Sequence, residues 1–182
     1  MTTCYVITDS YGVPTPNFAT VMCARLSWTL TIDAIGGTGY LNGSPTTNFR
    51  ARIPAALATH PDIVMIMGSV NDTIDTPANV ATEALRCWAA LTTVPIIYAA
   101  FLCVSDSGSY GPTIMTPYAT VLSMAAPPNV FFINGVGWIN TKNAIAYEAA
   151  DRQHPMVTGG VGAKYLGTRL AFVIRPPSTG LI

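Results

Sequence analysis

Cys4-Tyr5-Val6-Ile7-Thr8-Asp9-Ser10-Tyr11-Gly12 is the stretch from which the rest of the chain can be read. A run of strand length, apolar and without polar alternation, stops abruptly in a cluster of turn-forming polar residues. Four more such runs follow at intervals of about 30 residues: Leu30 to Ile35, Ile63 to Met67, Ile96 to Cys103 and Val130 to Ile133. Strands this uniformly apolar are expected to be buried on both faces. Between them apolar residues take helical spacing, at Phe18, Val21, Met22 and Leu26, at Phe49, Ile53 and Leu57, and at Val80, Ala84, Leu85, Trp88 and Leu91. Further helices are predicted from about Tyr118 to Met124 and from about Gly162 to Phe172. Thr76 followed by Pro77 reads as a cap and first turn. Strand alternating with helix gives an α/β domain, a three-layer α/β/α sandwich around a five-stranded parallel sheet. One such domain is expected over 1–175, with the Pro/Ser/Gly-rich residues 176–182 as a C-terminal tail.

Composition narrows the partners. The 182 residues suit one domain, and nine basic residues balance nine acidic ones. A chain without a basic stripe has little with which to release counterions from nucleic acid or to bind anionic lipid. Only 10% of residues are charged, against roughly 25% in an average domain, while 50% are apolar. That profile suits an extracellular or phage virion surface, and a module of a larger secreted or tail protein is one origin compatible with it. The stretch from Val94 to Val104 contains a proline and falls short of the ~20 residues of a bilayer span, so no membrane insertion is expected. The N-terminus enters its first strand almost at once, with no signal-peptide pattern. Cys4, Cys23, Cys87 and Cys103 are widely and irregularly spaced, which argues against a zinc site or redox dithiol. Buried free thiols are expected, with three disulfide connectivities formally open.

In a parallel sheet, ligands bind outside the carboxyl ends of the strands, and four polar clusters follow strands here. They are Thr8-Asp9-Ser10-Tyr11-Gly12, Gly36-Gly37-Thr38-Gly39-Tyr40, Gly68-Ser69-Val70-Asn71-Asp72 and Asp151-Arg152-Gln153-His154-Pro155. In order and strand context these blocks resemble the SGNH hydrolases, also called GDSL-type esterases, over essentially the whole chain. That family carries a Ser in G-D-S, a Gly after the second strand, an Asn in G-x-N-D and a terminal D-x-x-H. Asp151 to Pro155 fits D-x-x-H-P at every fixed position. Gly68 and Asn71 are separated by one more residue than usual, and Thr8 stands where the family usually has Gly.

The resemblance implies a flavodoxin-like strand order and a serine mechanism without metal or organic cofactor. A weak hydroxyl needs a base, and the base needs a third group to fix its tautomer. Ser10 is then the nucleophile, His154 the base and Asp151, three residues earlier, its orienting carboxylate. The other histidine, His60, belongs at the amino edge of the sheet as a helix-terminal residue. The oxyanion donors implied are the N–H groups of Ser10 and Gly37, with Gly36 and Gly39 as alternatives to Gly37, and the Asn71 amide. Asp9 and Asp72 are expected to scaffold these loops. Tyr11, Tyr40 and Trp138 are candidates to line the substrate pocket, shaped in part by the long connection from Gly135 to Ala150. No dinucleotide fingerprint, phosphate loop or G-x-S-x-G elbow competes with this reading. The expected function is hydrolysis of a small-acyl ester, an acetyl group on a carbohydrate. Alternatives are a lipase or thioesterase of longer acyl chains and a non-catalytic carbohydrate-binding module.

Overall fold

Strand β1 (Thr3–Thr8) lies at the centre of the molecule, between β2 (Thr29–Ala34) and β3 (Ile63–Met67). β4 (Ile96–Leu102) and β5 (Val130–Gly135) complete a five-stranded sheet of order β2-β1-β3-β4-β5, every pair parallel. The computed structural model describes residues 1–68, 70–103, 105, 110–151, 153–156 and 158–174, so the expected tail lies outside the described residues. Helices α1 (Phe18–Leu26), α2 (Phe49–Ala58), α3 (Pro77–Ala89) and α4 (Pro112–Ala125) connect successive strands. A short α5 (Ala144–Tyr147) and a long α6 (Val161–Val173) follow β5. The first connection runs one way across the sheet and the next three run the other way. Right-handed crossovers therefore place α1 on one face and α2, α3 and α4 on the other. α6 packs against α1, closing the first layer, and α3 packs against α4 in the second.

Local chemistry explains the helix starts. Asn17 and Thr20 form a reciprocal capping box at α1, Asn48 accepts from Ala51 N–H at α2, and Thr76 accepts from Asn79 N–H ahead of Pro77 at α3. Burial drives the assembly: Val6, Ile7 and all of Ile63–Met67 are buried, as are Phe18, Phe49, Trp88 and Phe101. The two edge strands depart from the expectation of full burial. No residue of β2 is buried, Thr29 and Thr31 being exposed, and Phe131 on β5 stands open, because an edge strand has sheet on one side only. Helix α4 starts well before Tyr118, since Pro112 is well suited to its first turn and Pro117 is accommodated inside it. All four cysteines are buried free thiols.

Two buried side chains fasten the carboxyl-side loops. Arg52 projects from the inner face of α2, where one guanidinium nitrogen donates to Asp33 O and Asp33 Oδ1 at 3.0 and 3.1 Å. The other donates to Thr8 O at 3.0 Å and Thr38 Oγ1 at 3.1 Å. Asp72, fully buried in the turn after β3, accepts the N–H groups of Tyr40, Leu41 and Asn42 at 2.8 to 2.9 Å. Burial raises the Asp72 carboxyl, and the bonds from Asn42, Leu41 and Tyr40 pull it back. Replacing Arg52→Met removes the four guanidinium bonds to Asp33 O, Asp33 Oδ1, Thr8 O and Thr38 Oγ1, and leaves Thr8 O with Ile35 N–H alone. We expect a loss of about 3 kcal/mol in urea unfolding, with the midpoint lowered and the slope unchanged.

Candidate active site

Ser10 occupies the first position of a 3-10 turn, Ser10–Gly12, directly beyond β1. Asp9 caps that turn, its Oδ1 accepting Tyr11 N–H at 2.9 Å, so the backbone at Ser10 is set by its own neighbour. His154 reaches it from the far end of the chain: Nε2 is 2.9 Å from Ser10 Oγ. Its other ring nitrogen, Nδ1, is 2.7 Å from Asp151 Oδ2. The D-x-x-H spacing has a local cause, since Asp151 Oδ1 also accepts the N–H groups of Gln153 and His154 at 3.0 and 3.1 Å. The carboxylate thus folds its own loop into a turn and holds the ring it serves. Burial raises the Asp151 carboxyl, but the bonds from Gln153 and His154 outweigh it and keep it below the usual carboxylate range. An ionised Asp151 can only accept, so Nδ1 carries the proton and Nε2 is left to accept from the Ser10 hydroxyl.

A short antiparallel clip presents the His154 loop. Ala149 N–H donates to His154 O at 2.9 Å, Glu148 pairs with Pro155, and Met156 N–H donates to Tyr147 O at 2.7 Å. Buried Glu148 accepts from Ser105 Oγ at 3.1 Å, tying the clip to the segment after β4.

The implied oxyanion donors come from the turn after β1, the glycine loop after β2 and the turn after β3. Gly37 has φ +72°, a conformation L side chains rarely adopt, and the space where its Cβ would stand is open. Its neighbour Gly36 lies beside Ser10, with 3.8 Å between a built Cβ and Ser10 Cβ. Asn71 sits in the 3-10 turn Val70–Ile74 and donates from Nδ2 to Thr38 O at 2.9 Å. A second contact, 3.4 Å, runs from Nδ2 to Asp9 Oδ2. Among the described residues no hydrogen bond occupies the N–H of Ser10 or of Gly37.

The pocket expectation needs correction. Tyr40 is 3% exposed and packs edge-on against Phe49 and Trp88, so it is a core residue beneath the glycine loop. Tyr11 is also buried, its ring edge-on to His154 with centroids 6.0 Å apart. Trp138 is half-buried, covered on one face by Arg169 at 5.0 Å, and its carbonyl accepts from Tyr165 Oη. His60 lies just past the end of α2 with φ +47°, at the amino edge of the sheet. Asp9 and Asp72 bind loop N–H groups, as scaffolding residues do. Arg52 was missed, although its place among Phe49, Ile53 and Ala56 on one helix face marked a charge headed for the interior.

No protein-family profile matches the chain, and neither does any curated protein sequence. Solved structures do. TesA superposes with a TM-score of 0.65 at 18% identity, over 93% of this chain and 94% of that one. A protein from Slackia heliotrinireducens assigned to the SGNH hydrolases gives 0.66 at 14%, over 92% and 97%. A family 3 carbohydrate esterase from Clostridium thermocellum gives 0.63 at 15%, over 92% of each. With the strand order, the rim and the Ser10–His154–Asp151 geometry in place, the chain has the fold of the SGNH hydrolases.

Proposed function

We propose that this protein is a serine esterase that hydrolyses small-acyl esters, with acetyl groups on a carbohydrate as the favoured substrate. The observation that carries the reading is the unbroken series Ser10 Oγ, His154 Nε2, His154 Nδ1 and Asp151 Oδ2, joined at 2.9 and 2.7 Å. Ser10 Oγ attacks the acyl carbon as His154 Nε2 takes its proton. Negative charge then develops on the former carbonyl oxygen, where the N–H groups of Ser10 and Gly37 and the Asn71 amide can meet it. The imidazolium, paired with Asp151, returns its proton to the leaving alcohol as the carbon–oxygen bond breaks. Water repeats the sequence on the acyl-serine: His154 takes its proton, the acid departs and Ser10 recovers its hydrogen.

The acyl size rests on less. The low charge of the chain suits a neutral substrate, and solved structures of the same fold include a carbohydrate esterase. A chain-length series of nitrophenyl esters is expected to peak at the acetyl or propionyl ester and fall with length, and a maximum at eight carbons or more would refute the small-acyl assignment. Release of acetate from a panel of acetylated glycans would then identify the natural ester.

Ser10→Ala should lower kcat/KM for p-nitrophenyl acetate by about 10³ or more and abolish phosphonate labelling, read as the loss of one adduct by intact-mass spectrometry. Equal activity in wild type and variant would remove the serine mechanism. Asn71→Ala should reduce kcat by about 10² to 10³ with little change in KM, because the amide is asked to act where charge develops.

A further inference from the structure

Beside the nucleophile lies a carboxylate that the hydrolytic steps do not use. Asp9 is completely buried. Its Oδ1 is committed to Tyr11 N–H, while Oδ2 points toward Asn71 Nδ2 at 3.4 Å. Oδ2 also fills the space beside Gly68, which has φ +154°: a Cβ there would fall 2.8 Å from Asp9 Oδ2 and 2.7 Å from Phe49 Cζ. Asn71 Nδ2 has two hydrogens, and both are directed at protein acceptors, one to Thr38 O at 2.9 Å and the other along the longer contact to Asp9. An oxyanion served by this amide must therefore draw on the weaker of the two, the hydrogen facing Asp9. A carboxylate accepts more strongly than a neutral acid, so the charge on Asp9 sets how firmly that hydrogen is held.

The charged and titratable groups around Asp9 come from three directions. His154 approaches from the loop after β5, Asp72 from the turn after β3 and Arg52 from α2. Burial pushes the Asp9 carboxyl up to about 7, against the Tyr11 N–H and His154, with Asp72 adding to the rise and Arg52 opposing it.

We propose that Asp9 is a positioning residue acting through Asn71: its charged form holds the amide away from the oxyanion, and its neutral form releases the amide to the reacting carbonyl. The inference rests on the esterase reading for its kinetic consequence, but the coupling between the two side chains exists with or without turnover. It gives the reaction a protonation requirement opposite to that of His154, which must be neutral to act as base. The same carboxyl thereby limits activity on the alkaline side.

The test combines a kinetic arm and a spectroscopic one. In the wild type, kcat for p-nitrophenyl acetate should fall about tenfold between pH 6.5 and pH 8.5 as Asp9 ionises. Asp9→Asn keeps an oxygen for Tyr11 N–H but cannot ionise, so its kcat should stay level across the same range, with folding checked by circular dichroism. By NMR on the unmodified protein, the Asp9 carboxyl carbon and the Asn71 side-chain amide should titrate with one shared midpoint near neutrality. An alkaline decline that persists in Asp9→Asn, or an Asn71 amide indifferent to the Asp9 titration, overturns the proposal. Should the wild type neither turn over esters nor take a phosphonate at Ser10, the esterase reading fails by itself, and the shared NMR titration still decides whether Asp9 governs Asn71.

Discussion

Arg52 joins structure that the sheet ladder leaves open. Where β1 and β2 stop, Thr8 O keeps a last ladder bond from Ile35 N–H at 3.1 Å, and Ser10 and the glycine loop begin within two or three residues. A guanidinium offers five N–H donors in one plane, and Arg52 directs its two terminal nitrogens to the Thr8 and Asp33 carbonyls, to the Asp33 carboxylate and to Thr38 Oγ1. Taking a cation out of water is costly, and an apolar residue of similar volume would often serve stability as well. What an apolar residue could not do is hold two strand ends and a loop in one fixed relation. Asp72 does the complementary work with its carboxylate, gathering the N–H groups of Tyr40, Leu41 and Asn42 beneath the same rim. Ser10, Gly37 and Asn71 thus stand on segments fastened by one buried cation and one buried anion.

The site divides into a rigid half and an exposed half. Ser10 and Asn71 are half-buried on turns that Asp9 and Asp72 hold from within, whereas the His154 and Asp151 side chains are 34% and 51% exposed. Solvent screens the charge of an exposed carboxylate, so what the structure shows of Asp151 is chiefly that it orients the His154 ring. Its three accepted bonds, from Gln153 N–H, His154 N–H and His154 Nδ1–H, lock the turn and the tautomer together. The antiparallel clip of 147–149 with 154–156 supplies the stiffness that an exposed loop lacks by itself.

The layer order was legible because strands buried in a parallel sheet write themselves as uninterrupted apolar runs, and β3 matched its run from Ile63 to Met67 residue for residue. The edges were less legible, since Thr29 to Ala34 and Val130 to Gly135 carry apolar residues whose exposure depends on which strands happen to be outermost. In the site, the residues that the structure brings together at Ser10 could be found from their motifs, and Asp151 to His154 from spacing that a single turn can close. Tyr40 could not be placed from its neighbours in sequence. Its backbone belongs to the rim, but its ring turns inward to Phe49 and Trp88, a direction fixed by tertiary packing. Arg52 left a readable mark, a charge in an apolar helical stripe, yet its partners lie 14 to 44 residues away in sequence.

The two departures from the resembled motifs are absorbed locally. Thr8 takes the place of a glycine, and its methyl group fills the space that a side chain at Gly12 would need, with Ala34 and Ile32 alongside. The bulk gained at position 8 is thus balanced by a glycine at position 12, and the turn carrying Ser10 keeps its place. The exchange is not free of cost: among the described residues Thr8 Oγ1 is buried without a hydrogen-bond partner, a loss of about 1 to 3 kcal/mol in typical cases. At the position of the longer Gly68-to-Asn71 spacing, the 3-10 turn of Val70–Ile74 still delivers the Asn71 amide to Thr38 O and Asp72 to the glycine loop. Both departures change how the chain reaches the rim. Neither moves Ser10 out of hydrogen-bonding reach of His154, because the position of the reacting atoms is set by Asp9, Arg52 and Asp72, which lie beyond the altered positions.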